Sequence, residues 1–323
     1  MPDSFGPHST ADDVLVGCDL RGKRFLVTGV SSGLGVETAR ALVARGAQVV
    51  GAVRDLTKAE AASKAVRHAV GDTGGLELIE LNLAELASVR ACADALLAAE
   101  QPFDAVFANA GVMATPFSHT ADGFETQFGV NHLGHFVLIN RIVPLMSAGA
   151  RVVTVSSAGH RRANVDLADP NFEHRPYDPL VAYGQSKTAN ALFAVEFDRR
   201  RRGQGVRAAA VHPGVVETEL TRHSDPAFMG AFRQFLNMER AAKGEPPFEP
   251  KTVAQGAATS VWAGVVAPAD EVGGKYCEDC HVTTRLLVGE VGPIEEGVRA
   301  YAIDPNAAAA LWARSEELVG EHF

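Results

Sequence analysis

A tyrosine and a lysine stand four positions apart in the segment YGQSK, as Tyr183 and Lys187. Residues i and i+4 lie on the same face of a helix, so the phenol and the ammonium could meet there. A phenol ordinarily ionises near pH ~10, and a neighbouring ammonium favours the phenolate and lowers that pKa. Such a pair could give a proton to a carbonyl oxygen or take one from an alcohol. The alternative is a pair of surface side chains with no chemical role.

A glycine-rich turn, TGVSSGLG at residues 28–35, lies near the start of the chain. The apolar run FLVTG leads into it, and a helical pattern follows it. A turn between a strand and a helix brings backbone N–H groups and a helix N-terminus to a phosphate. The glycines have the spacing G-x-x-x-G-x-G, which alone is also compatible with a purely structural turn.

Short apolar runs alternate with longer helical patterns along the chain. The runs lie at 25–29, 47–53, 76–83, 104–111, 151–157, 206–214 and 274–279. They are almost continuously apolar, as in strands that are covered on both faces. The alternation predicts an α/β fold with a Rossmann-type, doubly wound parallel sheet of about seven strands and helices on both faces. No repeat or linker divides the chain, so we predict a single domain over residues 21–323.

Three segments depart from this alternation. Residues 1–20 precede the first strand, and we expect them to form a flexible extension. Residues 158–180 are polar and contain prolines, which indicates an insert on the substrate side. Residues 219–250 carry an apolar stripe at helical spacing. The stripe is either ordinary core packing or a mobile lid over an apolar substrate, and as a lid it would bring Phe228 and Phe232 to the substrate.

Composition and charge restrict the class of protein. The chain has 323 residues, of which 46% are hydrophobic and 21% charged, as in soluble globular proteins. The net charge of −9 argues against nucleic acid or an anionic membrane as the main partner. No apolar run approaches the ~18 residues of a membrane span, and no signal-peptide pattern is present, so we expect a cytoplasmic protein. A homo-oligomer is compatible with this composition.

The four cysteines are Cys18, Cys92, Cys277 and Cys280. Four are too few for a disulfide scaffold in a chain of this length. The segment CEDCH has a C-x-x-C spacing but lacks the second pair of ligands that a zinc site needs. We therefore predict no metal site and interpret Cys277 and Cys280 as two thiols near the end of a strand.

Six motifs together resemble those of the short-chain dehydrogenase/reductase family. In chain order they are TGVSSGLG, ANAG at 108–111, NHLGHF from Asn131, VSS ending at Ser157, YGQSK, and PGVVET at 213–218. Three longer segments are similar in sequence to the retinol-dehydrogenase-like branch of this family and its bacterial relatives. They are NHLGHF, RPYDPLVAYGQSKTANALFAVE and GKYCEDCHV. The resemblance covers about residues 22–280 and implies an oxidoreductase that uses NAD or NADP.

The resemblance implies a catalytic set of Asn131, Ser157, Tyr183 and Lys187. Tyr183 would be the general acid and base, Lys187 would lower its pKa, and Ser157 would donate to the carbonyl oxygen. Asn131 would interrupt its helix and hold a water that connects Lys187 to solvent. Two alternatives remain from the residues themselves, since Ser156 could replace Ser157 and Asn131 could be a helix-capping amide.

The resemblance also implies a dinucleotide along the carboxyl ends of the strands. The residues expected to bind it are Gly29, Ser31, Ser32, Gly33, Leu34, Gly35, Arg54, Asn82, Leu83, Asn109, Ala110, Gly111, Tyr183, Lys187, Pro213, Gly214, Val216 and Thr218. Arg54 follows the second strand, where a guanidinium suits a 2′-phosphate, so we favour NADP(H) over NAD(H). If that strand is longer, the Asp55 carboxylate could bind the ribose hydroxyls instead. Asn82 stands where the family commonly has an aspartate.

We therefore predict an NADP(H)-dependent oxidoreductase that moves a hydride between the nicotinamide and a carbonyl or alcohol of a hydrophobic small molecule. Two other functions fit the same motifs. One is the reduction of a conjugated C=C bond by the same tyrosine and lysine. The other is a non-catalytic regulator that binds NADPH, although a sensor would need only the glycine turn and not Ser157, Tyr183 and Lys187.

Overall fold

A mostly parallel sheet of eight strands forms the centre of the computed structural model, which describes residues 5–69, 74–223, 226–242, 244–289, 292 and 295–323. The strands are β1 (Arg24–Thr28), β2 (Gln48–Val53), β3 (Gly75–Glu80), β4 (Phe103–Ala108), β5 (Met146–Val155), β6 (Arg207–His212), β7 (Lys275–Glu278) and β8 (His281–Val282). Their order is β3-β2-β1-β4-β5-β6-β7-β8. Neighbours from β1 to β7 are parallel, and β8 is antiparallel to β7. The predicted doubly wound Rossmann-type sheet is confirmed.

Helices cover both faces of this sheet. They are α1 (Ala11–Val14), α2 (Gly33–Val43), α3 (Leu56–Ala62), α4 (Lys64–His68), α5 (Leu86–Ala98), α6 (Thr126–Phe128), α7 (Gly134–Arg141), α8 (Pro179–Arg201), α9 (Pro226–Ala242), α10 (Val253–Val261), α11 (Ala269–Val272) and α12 (Pro305–Val319). Successive strand residues face opposite layers, since Leu26 belongs to the core under α5, α7, α8 and α12, and Val27 to the core under α1, α2 and α10. Within the described ranges, no helix combines the length and the apolarity that crossing a membrane requires.

The last strand of the sheet is one more than the sequence pattern predicts. Asp279 and Cys280 have φ angles of 50° and 59°, the left-handed conformation of a two-residue hairpin turn. This turn returns the chain as the short strand β8. Cys277 and Cys280 carry free, buried thiols within the apolar core, and burial raises the pKa of Cys280 to about 11. Cys277 lies in the last part of β7 and Cys280 in the turn after it, in agreement with the interpretation of the pair as two thiols near the end of a strand.

The described part of the N-terminal segment differs from the expected flexible extension. Thr10 and Asp13 form a capping box at the start of α1, which satisfies backbone donors that a short helix would otherwise leave open. Ala11 and Leu15 are completely buried in the core that α2 and α10 share. Arg40 of α2 also forms an ion pair with Asp12 at 2.7 Å. Residues 5–20 are therefore packed on the domain. The apolar residues Ala11 and Leu15 enter the core between α2 and α10, and a helix this short shows no clear periodicity in the sequence.

The two other irregular segments lie beside the carboxyl ends of the strands. The first begins after β5 with a 3-10 turn, Ala158–Arg162, and continues without regular structure to α8. The second comprises a 3-10 turn at Glu219–His223 and the helix α9. Since β1 lies between β2 and β4, the chain winds away from β1 in both directions, and ligands bind in the crevice at such a switch point.

Candidate active site

A cleft of about 740 Å³ lies at the carboxyl ends of six parallel strands. The residue or turn after each strand contributes to it: Gly29 after β1, Arg54 after β2, Asn82 after β3, Asn109 after β4, Ser157 after β5 and Pro213 after β6. The cleft thus occupies the place where the strand order predicts a ligand.

The turn between β1 and α2 is shaped for an anion. Gly29 and Gly33 have φ angles of 79° and 56°, which favour glycine. A Cβ on Gly35 would lie 2.2 Å from the carbonyl oxygen of Gly29, so only glycine allows α2 to start this close to the strand. Ser32, at the N-cap of α2, makes no side-chain capping bond. The first-turn N–H groups of α2 are therefore not capped by this side chain, and they fit a phosphate.

Asn109 joins the ends of β4 and β1 beneath this turn. Its backbone N–H donates to Thr28 Oγ1 at 3.0 Å, and its side-chain Nδ2 donates to the carbonyl oxygen of Thr28 at 2.9 Å. Thr28 Oγ1 also lies 2.9 Å from Nε2 of the buried His135. These bonds hold the ANAG segment beside the glycine turn.

Ser157 and Tyr183 meet in the cleft. Ser157 caps the 3-10 turn after β5, where its Oγ accepts from the N–H of Gly159 at 3.0 Å. Tyr183 lies in the second turn of α8 and is 6% exposed. A Cβ on Gly159 would lie 2.7 Å from Tyr183 Cε1, so a glycine at this position lets the ring reach Ser157.

The pKa of Tyr183 differs from the one that the YGQSK spacing predicts. Burial raises the pKa of the phenol to about 12, and its hydrogen bond with Ser157 acts in the opposite direction. The expected lowering by Lys187 does not outweigh burial, because the ring is removed from water on nearly every side. The phenol is therefore protonated at neutral pH in this structure.

Lys187 follows Tyr183 by one turn of α8 and points to the same cleft. Its Nζ donates to the carbonyl oxygen of Val155 at 2.9 Å and lies 5.6 Å from the centroid of the Tyr183 ring. The residue is 3% exposed, and burial lowers the pKa of its ammonium to about 8. The predicted pair is thus buried rather than a surface contact.

Asn131 lies in a π-helical turn, Gly129–Leu133, between α6 and α7. Its Oδ1 accepts from Val112 N at 2.8 Å, and its Nδ2 donates to Val112 O and Ser186 Oγ, each at 2.9 Å. The helix is interrupted here, as the NHLGHF motif implies. The carboxamide ties the segment after β4 to α8 and is not a helix cap. It does not line the cleft.

The hydroxyl of the alternative serine, Ser156, is bound to the backbone of α8. Ser156 Oγ donates to the carbonyl oxygen of Lys187 at 2.8 Å, and the residue is 1% exposed. Because this bond fixes the hydroxyl against the backbone of α8, the geometry favours Ser157 as the residue that meets a substrate oxygen.

Most of the residues expected to bind a dinucleotide line this cleft. They are Gly29, Ser31, Ser32, Gly33, Leu34, Arg54, Asn82, Leu83, Asn109, Ala110, Gly111, Tyr183, Lys187, Pro213, Gly214, Val216 and Thr218. Gly35 does not line the cleft, and its close contact with the backbone of Gly29 shapes the glycine turn. The cleft is long enough to bring residues after β2, β3, β5 and β6 to one surface, which suits an extended ligand.

Arg54 directly follows the end of β2 and is exposed in the cleft. Asp55 caps α3, where its Oδ1 accepts from Lys58 N at 2.9 Å. A cation that the sequence did not single out lies nearby, since Lys58 also lines the cleft and its Nζ is 2.5 Å from Glu219 Oε2. The Asp55 carboxylate therefore has a structural partner already, which favours Arg54 as the group that recognises the ribose substituent.

The apolar side chains of residues 219–250 differ in how far they are buried. Phe232 of α9 lines the cleft and is partly buried. Leu236 is completely buried, whereas Phe235 and Met238 are 49% and 65% exposed. The side chain of Phe228 lies outside the described residues. The stripe is thus neither wholly core nor wholly lid.

Sequence reasoning missed four arginines of the cleft, Arg161, Arg162, Arg222 and Arg299. The first two were visible as a pair that follows Ser157 by four and five positions. Arg299 carries no comparable signal, because only the tertiary structure brings the C-terminal part of the chain to this wall.

Comparison with known proteins gives a consistent result. Residues 23–227 match the family model described as short chain dehydrogenase. The chain is 42% identical over 297 residues to a Streptomyces lividans protein named "Probable oxidoreductase", which covers 91% of this chain and 96% of that protein. It is 40% identical over 305 residues to Homo sapiens retinol dehydrogenase 12, over 93% of this chain and 87% of that protein.

Two solved structures have a similar fold. A crystal structure of an uncharacterized protein from Mycobacterium Paratuberculosis superposes with a TM-score of 0.71 at 35% identity, over 97% of this chain and 98% of that one. A short chain dehydrogenase from Burkholderia cenocepacia in complex with NADP has a TM-score of 0.63 at 23% identity, over 81% of this chain and 97% of that one, and shows the fold alone.

The family model and the relatives together confirm the resemblance that the motifs indicate. The chain is an NAD(P)-dependent oxidoreductase of the short-chain dehydrogenase/reductase family and belongs to its retinol-dehydrogenase-like branch.

Proposed function

We propose that the protein is an NADP(H)-dependent oxidoreductase that interconverts a carbonyl and an alcohol on a hydrophobic small molecule. The observation that carries this proposal is the buried Tyr183, beside Ser157 and one helical turn from Lys187, in a cleft that also contains the N-terminus of α2. When bound, the nicotinamide supplies the hydride for reduction or accepts it in oxidation.

Tyr183 handles the proton in this proposal. Its phenol donates to the carbonyl oxygen in reduction and, as phenolate, accepts the alcohol proton in oxidation. Burial keeps the pKa of the phenol near 12, so the acid form is present at neutral pH. The Lys187 ammonium lies 5.6 Å from the centroid of the Tyr183 ring. Its positive charge favours the phenolate that forms when Tyr183 gives up its proton. Ser157 Oγ donates a second hydrogen bond to the carbonyl oxygen and orients it toward Tyr183.

Asn131 acts through the elements that it joins. Its bonds to Val112 and Ser186 hold α8 against the segment after β4, so that Tyr183 and Lys187 face the cleft. We also propose that Asn131 holds a water molecule and that this water connects Lys187 to solvent.

A preference for NADP(H) is supported by the charges beside β2. The Arg54 guanidinium is exposed in the cleft, and within the described part of the chain no carboxylate forms an ion pair with it. A guanidinium forms strong, charge-assisted hydrogen bonds with a phosphate. Asp55, which would favour the unphosphorylated ribose, is already engaged as the cap of α3.

An apolar substrate is supported by the apolar part of the cleft wall. Its apolar side chains include Met113, Val130, Leu180, Leu220 and Phe232. Such a wall buries the body of a ligand, and a few polar groups then fix its orientation. The human relative is named a retinol dehydrogenase, and an apolar alcohol for this chain is consistent with that name.

The test is a panel of aldehydes, ketones, enones and alcohols assayed by the absorbance of NADPH. We expect turnover of carbonyls with NADPH, and Tyr183→Phe should lower kcat by ~10²–10⁴ while NADPH binding is kept. Tyr177→Phe is the matched control, since Tyr177 does not line the cleft and the phenol oxygen that it loses donates to Thr115 O. Tyr183→Phe turnover at the wild-type rate, or turnover of enones only, would contradict the proposal.

A further inference from the structure

Three arginine side chains line the end of the cleft that adjoins Ser157 and Tyr183. Arg161 and Arg162 finish the 3-10 turn that Ser157 caps, and Arg299 belongs to β10 (Val298–Arg299). A Cβ on Gly184, the residue after Tyr183, would lie 3.2 Å from Arg162 Cβ. This wall is therefore next to the proposed proton donor and away from the glycine turn.

The packing of β10 on the 3-10 turn brings the three side chains together. β10 pairs in parallel with β9 (Leu286–Leu287). The N–H of Arg299 donates to His160 Nε2 at 3.2 Å, and Tyr301 OH donates to the carbonyl oxygen of His160 at 2.7 Å. His160 is completely buried. The cationic wall is thus part of the fold and not a chance meeting of surface side chains.

Among the described residues, only one of the three arginines, Arg161, forms an ion pair with a carboxylate. Arg161 is braced by the carbonyl oxygen of Gly297 at 3.2 Å and lies 3.9 Å from Glu278. The exposed Arg162 and the half-buried Arg299 form no ion pair with any carboxylate of the described residues, and the Arg299 guanidinium donates to the carbonyl oxygen of Leu287 at 3.2 Å. In a chain with a net charge of −9, this local excess of cations is not a consequence of overall composition.

The phosphates of a dinucleotide do not account for these arginines. The glycine turn, the start of α2 and Arg54 lie at the other end of the cleft, beside β1 and β2. The lining of the same cleft also contains apolar side chains, among them Leu180 and Phe232. A ligand that satisfies both kinds of lining has an apolar body and a separate anionic group.

We propose that the substrate carries a carboxylate in addition to the reacting carbonyl or alcohol, and that Arg162 and Arg299 bind it. This inference rests on the proposed function, which it narrows to oxo acids and hydroxy acids with an apolar body. Hydrogen bonds from a guanidinium to a carboxylate are charge-assisted and can be bidentate, so they orient the substrate as well as hold it. Arg161 shapes the same wall through Gly297 and stays out of the test, because its removal would disturb that loop.

The experiment compares para-formylbenzoate with its neutral methyl ester as substrates of the NADPH-bound enzyme. We expect kcat/KM for the acid to exceed that for the ester by at least ~10-fold, since one charge-assisted hydrogen bond is worth ~1.5–3 kcal/mol. Arg162→Gln and Arg299→Gln should each lower kcat/KM for the acid by ~10- to 100-fold and leave the ester unchanged. Arg21→Gln is the control for net charge, because Arg21 is exposed and pairs with Asp19 far from the cleft. Melting temperatures verify that each variant is folded.

A binding measurement separates this inference from the proposed function. Calorimetric titration of the enzyme–NADP⁺ complex with benzoate and with methyl benzoate requires no turnover. Tighter binding of benzoate that is lost in Arg162→Gln supports the carboxylate site. Equal binding of the two probes, or a benzoate preference that both variants keep, overturns it. Reduction of the ester with the expected dependence on Tyr183, without preference for the acid, would overturn the carboxylate site and leave the oxidoreductase proposal intact.

Discussion

Lys187 Nζ lies 5.6 Å from the centroid of the Tyr183 ring and donates to the carbonyl oxygen of Val155 at 2.9 Å. The end of β5 therefore holds the ammonium beside the phenol. Burial lowers the pKa of Lys187 to about 8 and raises that of Tyr183 to about 12. Removal from water thus shifts the pKa values of both groups. The rate of the proposed reaction should therefore depend on pH in a measurable way.

Lys187→Met should lower kcat by ~10²–10⁴, as for the loss of a group that assists proton transfer. In the wild type, the rate of reduction should fall above about pH 8, where Lys187 loses its proton. In the variant, that alkaline limb should move to higher pH, toward the pKa of Tyr183. Profiles of kcat/KM against pH measure this, and an unchanged limb would show that Lys187 does not titrate in the reaction.

The same variant should be more stable than the wild type at pH 7. The folded-state pKa of Lys187, about 8, is below the ordinary value of 10.5, so the unfolded chain binds more protons between these values and stability rises with pH there. Below pH 8 the buried ammonium of Lys187 lowers the free energy of unfolding by its full amount. Methionine at this position carries no charge, so the variant does not have this loss of stability. We expect a higher Tm at pH 7 and a difference that shrinks between pH 8 and 10.5. Lys64→Met, at an exposed position of α4, should show no such pattern.

Ser157→Ala should lower kcat by ~10²–10³, the effect of removing one donor to a developing oxyanion. NADPH binding should be kept, because Ser157 is expected to touch the substrate oxygen. Ser156→Ala is the matched variant, since Ser156 donates to the backbone of α8, and it should retain most of kcat with a lower Tm. The opposite ranking of the two variants in steady-state kinetics would assign the role to Ser156.

Arg54→Ala should weaken NADPH binding by ~10- to 100-fold and leave NADH binding nearly unchanged, because only NADPH carries the 2′-phosphate. Fluorescence titration with each cofactor measures this. Arg67→Ala is the control, since Arg67 is an exposed arginine of α4 that pairs with Glu60 at 3.0 Å. Equal weakening of both cofactors, or a wild type that prefers NADH, would reject the assignment of Arg54.

Phe232→Ala should change KM for bulky substrates more than it changes Tm, because Phe232 is partly buried and lines the cleft. Leu236, four positions along α9, is completely buried. Leu236→Ala should therefore lower stability by ~2–5 kcal/mol and leave the ranking of substrates unchanged. If the two variants behave alike in both assays, α9 is ordinary core at both positions.

The main elements of the fold could be predicted from the sequence because their signals are local. The strands read as almost continuous apolar runs since both faces of each are covered. Gly29, Gly33 and Gly35 marked the turn before α2, because positive φ angles and close backbone contact admit few other residues. YGQSK needed only helical spacing to place Tyr183 and Lys187 on one face.

Other features depended on distant parts of the chain and so could not be predicted from local patterns. Ala11 and Leu15 are buried because α2 and α10 form a groove for them, and nothing within residues 5–20 encodes that groove. The phenol pKa rises because burial is a property of the assembled fold. Arg299 reaches the wall of Arg162 only through the packing of β10 on the turn after Ser157. The sequence by itself thus determined the sheet, the glycine turn and the spacing of Tyr183 and Lys187. The tertiary structure decided the burial that sets the pKa values of these two residues, and it brought Arg162 and Arg299 to one cleft, because both depend on how distant segments of the chain pack together.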